Sequence, residues 1–396
     1  MFGIGLTRTP EGLAAQWIAR LRNAHQPVLC VDVPSGLDAD TGSWLPLPAE
    51  NLDTAGARHT LSLLTIKPGL FTASGRDATG QVWFDDLQIS PGSDNLPTAY
   101  LNGWTGVEAV RAHQPHAKHK GSFGDVLVIG GQDMAVNGSG MTGAAVLAAR
   151  AALHAGAGRV YVGLLEAPGP AANAVRWDPE APELMFRNLN DLLQSPLLST
   201  AAVVCGCGGG TAMAKALPQV LSLAHTLVLD ADALNAIASD SVLQAQLCQR
   251  RSKGGFTVLT PHPLEAARLL DCSTGEIMAD RLRSAQAISD RFAAVCVLKG
   301  SGTVISAPHQ TTLINPTGNA SLGTAGTGDV LAGMLGAALA PPGSTPAQQQ
   351  DRLAHAVFQH GWLADQWNQP LEARSPDWED GPALSASRLA HQVRPI

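Results

Sequence analysis

The chain has 396 residues, 45% of them hydrophobic and 15% charged, with a formal net charge of −7 at pH 7. That length and apolar content fit an enzyme of two or three domains with a large core, and the acidic balance excludes a nucleic-acid or anionic-membrane partner. Six scattered cysteines fit a reduced compartment better than a disulfide framework, and without a signal-peptide pattern or a bilayer-length apolar run the expected location is the cytoplasm.

In chain order, a first block over residues 1–90 reads as one helix (11–24) and three strands (28–33, 61–66 and 81–87). Residues 91–118 are rich in Pro, Gly, Asn and His and read as a linker with a short helical piece at 107–112. From residue 119 onward, short apolar strands (125–129, 159–164, 202–205, 226–229, 256–259, 294–298 and 303–306) alternate with helices (141–155, 212–224, 231–237, 263–270, 280–292, 329–339 and 348–368). Near-continuous apolar strands between helices predict an α/β domain, a mostly parallel sheet covered on both faces. In such sheets ligands bind beyond the carboxyl ends of the strands.

Several motifs fall at those ends. Gly326-Thr327-Gly328-Asp329 opens an apolar helix, where clustered N–H groups suit an anion and the acid suits a base beside it. The plain alternative is that Asp329 is an ordinary N-cap. Asp230 and Asp232 follow one strand, and Thr260-Pro261-His262-Pro263 with Glu265 follows the next. Lys299-Gly300-Ser301-Gly302-Thr303 follows a third, and Gly206-Cys207-Gly208-Gly209-Gly210 a fourth. Together they point to nucleotide-dependent phosphoryl transfer; no G-x₄-G-K-[ST] occurs, so the phosphates are not held by a P-loop.

Three other patterns carry less. Gly138-Ser139-Gly140-Met141-Thr142-Gly143 matches a dinucleotide fingerprint, with Glu166 after the next strand, but Gly130-Gly131 already closes the preceding strand. A longer pocket-shaping loop is the expectation there. Cys205-x-Cys207 lacks a second ligand pair, and His113, His116 and His119 read as a solvated segment beside Lys118 and Lys120.

The ordered set His119-Lys-Gly, Gly143-Ala144-Ala, Gly206-Cys-Gly-Gly-Gly, Asp230-Ala-Asp, Thr260-Pro-His-Pro, Lys299-Gly-x-Gly-Thr and Gly326-Thr-Gly-Asp resembles the ADP-dependent (S)-NAD(P)H-hydrate dehydratases, over about residues 117–395. The family more often carries Pro and Leu where this chain has Cys207 and Gly209. The resemblance implies a ribokinase-like domain at 119–396, a lyase that repairs nicotinamide nucleotides with ADP as phosphoryl donor. It implies Asp329 as catalytic base, Lys299, Gly300, Ser301, Gly302, Thr303, Gly326, Thr327 and Gly328 for the nucleotide, and Ala144, Gly208, His262 and Asp329 for the hydrate. Glu265 would orient Mg²⁺ through water.

The first block, through Phe2-Gly-Ile-Gly-Leu-Thr-Arg8, Val31-Asp32-Val-Pro-Ser35-Gly-Leu-Asp38 and Lys67-Pro-Gly, is similar to the second half of the NAD(P)H-hydrate epimerase domain, a partial Rossmann-like unit. That implies hydrate contacts from residues 3–9 and Asp32 and a K⁺ ligand in Ser35. The Asn-rich loop that supplies other ligands in the family has no counterpart in this sequence. The K⁺ site is therefore expected to be incomplete and epimerase activity absent or impaired. The resemblance also implies a homo-oligomer, a tetramer. Two rival readings remain at this level: an ATP-dependent kinase of a vitamin or sugar, and a non-catalytic nucleotide sensor.

Overall fold

The computed structural model describes residues 2–6, 8–45, 56–90, 92, 94, 96–103, 116–165, 177–369 and 383–396. Two sheets organise the chain. The first block forms a parallel three-stranded sheet of β1 (Val28–Val31), β2 (Arg58–Leu63) and β3 (Gln81–Asp85), in the order β1-β2-β3. Its own buried cluster is small, built on Val33, Leu37, Leu70 and Ala78, and the outer strand leaves Leu29 and Val31 exposed.

The second sheet has ten strands: β4 (Ala99–Leu101), β5 (Asp125–Gln132), β6 (Arg159–Leu165), β7 (Met185–Phe186), β8 (Ala202–Cys205), β9 (Thr226–Leu229), β10 (Phe256–Leu259), β11 (Val295–Leu298), β12 (Val304–Ser306) and β13 (Thr312–Ile314). Their spatial order is β4-β13-β12-β11-β10-β9-β8-β5-β6-β7. Among the described residues of this sheet, only β12 runs against its neighbours.

Side-chain alternation explains why these strands read as apolar throughout. On β5, Val126 and Val128 enter a cluster on one face, whereas Leu127 and Ile129 enter a second cluster on the other. Helices Thr142–His154, Thr327–Leu339 and Pro346–Trp367 supply the first cluster; Met213–Leu223, Asp232–Ser239, Pro263–Leu270 and Arg281–Phe292 supply the second. Small residues set the closest approaches: a methyl on Gly333 would lie 2.0 Å from the Ala148 carbonyl oxygen of the neighbouring helix.

The strand sequence turns back at β5, which has β6 on one side and β8 on the other. That is a topological switch point, where an open α/β sheet leaves a crevice above its strand ends. The ends of β5, β8, β9, β10 and β11 converge there.

Some elements depart from the sequence expectations. Ala99–Leu101, inside the expected linker, adds in parallel to β13; three residues are too few to display a period. The expected helix at 107–112 lies outside the described residues. The second strand ends at Leu63 rather than 66 because Leu64 takes φ 64°, and the third stops at Asp85 before Leu87 and Gln88 at φ 52° and 59°. The helix expected to start at 329 starts at Thr327, with Gly326 as its N-cap at φ 91°. Asp329 is therefore in the first turn and is not the cap.

Candidate active site

Freed from capping, Asp329 projects into a cluster made by the neighbouring strand ends. One ligand atom from each of Cys207, Asp230 and Asp329 lies within 4.8 Å of the others. The Cys207 thiol thus stands close to the Asp329 carboxylate. Burial and the Asp230 charge raise the Asp329 carboxyl to about 7, against the opposing pull of Cys207 and Lys299. A carboxylate poised near neutrality suits a general base.

Lys299 crosses this cluster. Its ammonium donates to Asp230 Oδ1 at 2.6 Å, and the same oxygen accepts from Thr260 Oγ1 at 2.7 Å. Burial works against the Lys299 charge, but Asp230 and Glu265 outweigh it and the pKa rises, so the cation is retained. A methyl on Gly328 would sit 3.3 Å from Lys299 Nζ. A fixed ammonium thus stands beside the N-terminus of helix Thr327–Leu339, where free N–H groups and the helix dipole already favour an anion.

The loop carrying Lys299 is held from beneath. Arg281, fully buried, donates to the carbonyls of Leu298 and Lys299 at 3.2 Å and of Gly302 at 3.4 Å. Gly300 at φ 135° and Gly302 at φ 64° adopt conformations that side chains rarely tolerate. Thr303 Oγ1 closes the turn on the Gly300 carbonyl at 3.2 Å.

The two acids after β9 separate in role. Asp230 serves Lys299, whereas Asp232 Oδ2 accepts from the Gly210 N–H at 2.8 Å and secures the glycine loop. Gly206 and Gly208, at φ 119° and 58°, let that loop press on its surroundings. A methyl on Gly208 would meet Ala144 Cβ at 2.7 Å, so the expected hydrate residues Ala144 and Gly208 are neighbours. His262 Nδ1 accepts from the N–H groups of Leu264 and Glu265, and burial together with Lys299 lowers its pKa.

Glu265 is engaged with the start of its own helix. Its Oε2 accepts from the His262 N–H at 2.8 Å and its Oε1 lies 3.2 Å from His262 Nε2, a reciprocal helix cap. Burial raises its pKa. Both oxygens are thus engaged within the protein.

A cavity of about 710 Å³ opens beside the cluster. Lys299, Gly300, Ser301, Thr303, Thr327 and Gly328 line it; Ala144, Gly208, His262 and Asp329 lie outside it. Gly302 and Gly326 shape the backbone turns instead. On the far wall the Thr317–Asn319 segment is fixed by Asp365, which accepts from Gly318 N and Asn319 Nδ2, both at 2.9 Å. His360, buried and lowered to about 4, keeps a neutral ring against the Thr327 carbonyl at 2.8 Å.

In the first block, Asp32 (φ 71°) forms an ion pair with Lys67 and accepts from the Leu63 N–H at 3.2 Å. Ser35 Oγ is bound to the amide and carbonyl of Phe2 at 3.0 and 3.1 Å. Within residues 3–9, Thr7 lies outside the described residues. A cavity of about 580 Å³ between helix Gly12–Arg22 and this sheet contains Ser35 but not Asp32.

The remaining motifs are structural. Gly131 and Gln132 donate to Cys207 and Gly208 carbonyls, and helix Met134–Asn137 intervenes before Gly138, unlike a dinucleotide turn. Cys205 is buried and raised to about 12, with its thiol near Met213. His119 caps the turn Lys120–Phe123; His113 and Glu166 lie outside the described residues.

The sequence that builds this site matches a known family model. The family model of NAD(P)H-hydrate dehydratase matches residues 126–375, more than half of the chain. The chain belongs to the NAD(P)H-hydrate dehydratase family. The model of the YjeF-related protein N-terminus matches residues 1–69. A bifunctional NAD(P)H-hydrate repair enzyme of Escherichia coli is 36% identical over 376 residues, covering 92% of this chain and 66% of that protein. The ADP-dependent (S)-NAD(P)H-hydrate dehydratase of Neisseria meningitidis is 39% identical over 225 residues, 56% of this chain and 71% of that protein. This dehydratase-family chain spans about two thirds of the length of the curated bifunctional relatives it matches. Among solved structures, the Bacillus subtilis ADP/ATP-dependent NAD(P)H-hydrate dehydratase crystallised with ATP and Mg²⁺ has a TM-score of 0.57 at 28% identity, covering 74% of this chain and 95% of that one. A ribokinase-like protein of Enterococcus faecalis, at 20% identity and TM-score 0.59, shares the fold.

Sequence reasoning missed Arg281, Gln132, Asp365 and His360. Gln132 accepts from Thr211 Oγ1 and the Ala212 N–H and braces the glycine loop. Arg281, Gln132 and His360 are buried and Asp365 is half-buried; of the four, only Gln132, a polar residue ending the apolar strand β5, carried a local signal.

Proposed function

We propose that the protein converts (6S)-NAD(P)H hydrate to NAD(P)H, with ADP as phosphoryl donor and AMP and phosphate as products. The observation that carries this reading is Asp329, poised near neutrality in the first turn of a helix whose Thr327 and Gly328, with the neighbouring Lys299, line the nucleotide-sized cavity. Family membership supplies the substrate class.

In this reading Lys299 to Thr303 and Gly326 to Gly328 hold the nucleotide, and Ala144, Gly208, His262 and Asp329 face the hydrate. Asp329 takes the proton of the C6 hydroxyl as its oxygen attacks the β-phosphorus of ADP, and the bond from that phosphorus to the AMP oxygen breaks. The Gly326–Gly328 N–H groups and Lys299 stabilise the charge on the transferring group. The ring nitrogen then pushes electrons toward C6. The C6–O bond breaks with its electron pair leaving on phosphate, and loss of the C5 proton closes the ring double bond.

Divalent metal, when bound with the nucleotide, would neutralise phosphate charge. Glu265 would orient that metal through a bridging water rather than bind it directly, since both of its oxygens already meet His262. The Cys207, Asp230 and Asp329 group is a poor match for a hard cation, with a thiol among its donors and Lys299 on Asp230. For K⁺ in the first block the fit is also poor: Ser35 offers one hydroxyl, already bound to Phe2. We therefore assign the chain dehydratase activity without efficient epimerisation. The domain division at 1–90, 91–118 and 119–396, a homotetrameric state and a cytoplasmic location belong to the same proposal. Among the described residues no helix is long and apolar enough to cross a membrane.

The test is incubation of purified protein with separated hydrate epimers and ADP, followed by near-ultraviolet absorbance. Growth of the NAD(P)H band from the S form, with the R form persisting beyond a no-enzyme control, is expected. No absorbance from either form would overturn the reading.

A further inference from the structure

The first block does more than precede the dehydratase domain: it walls the nucleotide cavity. Leu70, Phe71, Arg76 and Asp77 line it opposite Lys299. The docking is tight on the very loop expected to hold the nucleotide. Ala73 N–H donates to the Ser301 carbonyl at 3.2 Å, and a methyl on Gly302 would lie 1.8 Å from the Phe71 carbonyl oxygen. Ser43 Oγ adds a hydrogen bond to the Ala279 carbonyl at 3.3 Å.

Charge on the lining is sparse. Among the described residues, the fixed positive charges on the lining are Arg76 and Lys299, with the carboxylate of Asp77 beside Arg76 in sequence; His360 is neutral. Lys299 is paired with Asp230. Arg76 ion-pairs with no carboxylate among the described residues; its Nη1 donates to the Thr317 carbonyl at 3.4 Å, a long bond that leaves most of its five donors for other acceptors. An arginine with spare donors on a cavity built for a nucleotide is matched to phosphate oxygens, which it binds in a fork.

We propose that Arg76 is a nucleotide-binding residue of the dehydratase site, contributed across the interface by the first block, and that it contacts the diphosphate of a nucleoside diphosphate. This rests on the functional reading above and extends it. The first block thereby completes the nucleotide site of its neighbour, and Gly302 lets the two backbones meet closely enough for Arg76 to reach.

The experiment measures ADP and adenosine binding by calorimetry, without hydrate, for the full-length wild type and for Arg76→Gln, Arg76→Glu and Arg76→Lys, with thermal midpoints as a folding control. Arg76→Gln is expected to weaken ADP by about 10- to 100-fold, the range for one charge-assisted contact, while adenosine binding stays within about 2-fold. Arg76→Glu should weaken ADP further, and Arg76→Lys should recover part of the loss. Unchanged ADP affinity, or equal losses for ADP and adenosine, would overturn the assignment. A wild-type protein that binds no ADP would overturn the functional reading and the assignment with it.

Discussion

Replacing Asp329 with Asn keeps the side-chain shape and removes both the base and a costly ionisation. General-base catalysis contributes about 100- to 10,000-fold, so turnover of the hydrate should fall by that factor while ADP still binds through the loops around Lys299 and Gly328. The wild-type rate should rise with pH through a midpoint near 7, because burial and Asp230 hold the Asp329 carboxyl there. At pH 5 about 1% of the base is ionised, so kcat/KM should be about 100-fold below its plateau, and the variant should lose this limb. Stability moves in the opposite sense. A carboxyl raised from 3.8 to about 7 by folding stabilises fully below the unfolded value, and that contribution is lost as pH rises through 7. From pH 5 to 8 the loss amounts to about 2–3 kcal/mol, at about 1.4 kcal/mol per unit. Asn escapes it, so the variant should gain that much relative to wild type between the two pH values. Urea midpoints and turnover at both pH values check this. Turnover within tenfold of wild type, or a stability difference independent of pH, would refute the role given to Asp329.

Lys299→Met should abolish measurable ADP binding and destabilise the fold by about 3 kcal/mol, since Asp230 is left buried without its cation; chemical denaturation reads this directly. Residual activity, if detectable, should show its acidic limb at higher pH, because Lys299 pulls the Asp329 carboxyl down. Gly302→Ala forces a methyl into the Phe71 carbonyl at a backbone angle of +64° and should lower the thermal midpoint by several degrees while weakening ADP binding. Wild-type stability and affinity in that variant would mean the two blocks are not packed as described.

Sequence carried the α/β architecture because most of the buried strands, β5 and β8 to β10 among them, are followed by helices with their own apolar faces, and chemistry gathers at strand ends for topological reasons. Gly326, Gly328, Lys299 and Asp230 were legible as motifs for that reason. Their division of labour was not: Asp230 and Asp232 are two residues apart, yet one neutralises Lys299 and the other ties down Gly210. Asp329 read equally well as a helix cap until the cap proved to be Gly326. Arg281 and Arg76 lay beyond reach because their partners are backbone carbonyls 17 and 241 residues away, contacts with no local signature. The capping box that Glu265 forms with His262 is the converse, a contact between residues three apart.

The most direct test of the central claim is product identity. With S-hydrate and ADP, phosphorus NMR and near-ultraviolet absorbance should report AMP, inorganic phosphate and NAD(P)H in equal amounts. A stable phosphate ester accumulating without NAD(P)H would mean that the Asp329 site is a kinase and that the dehydratase account is wrong.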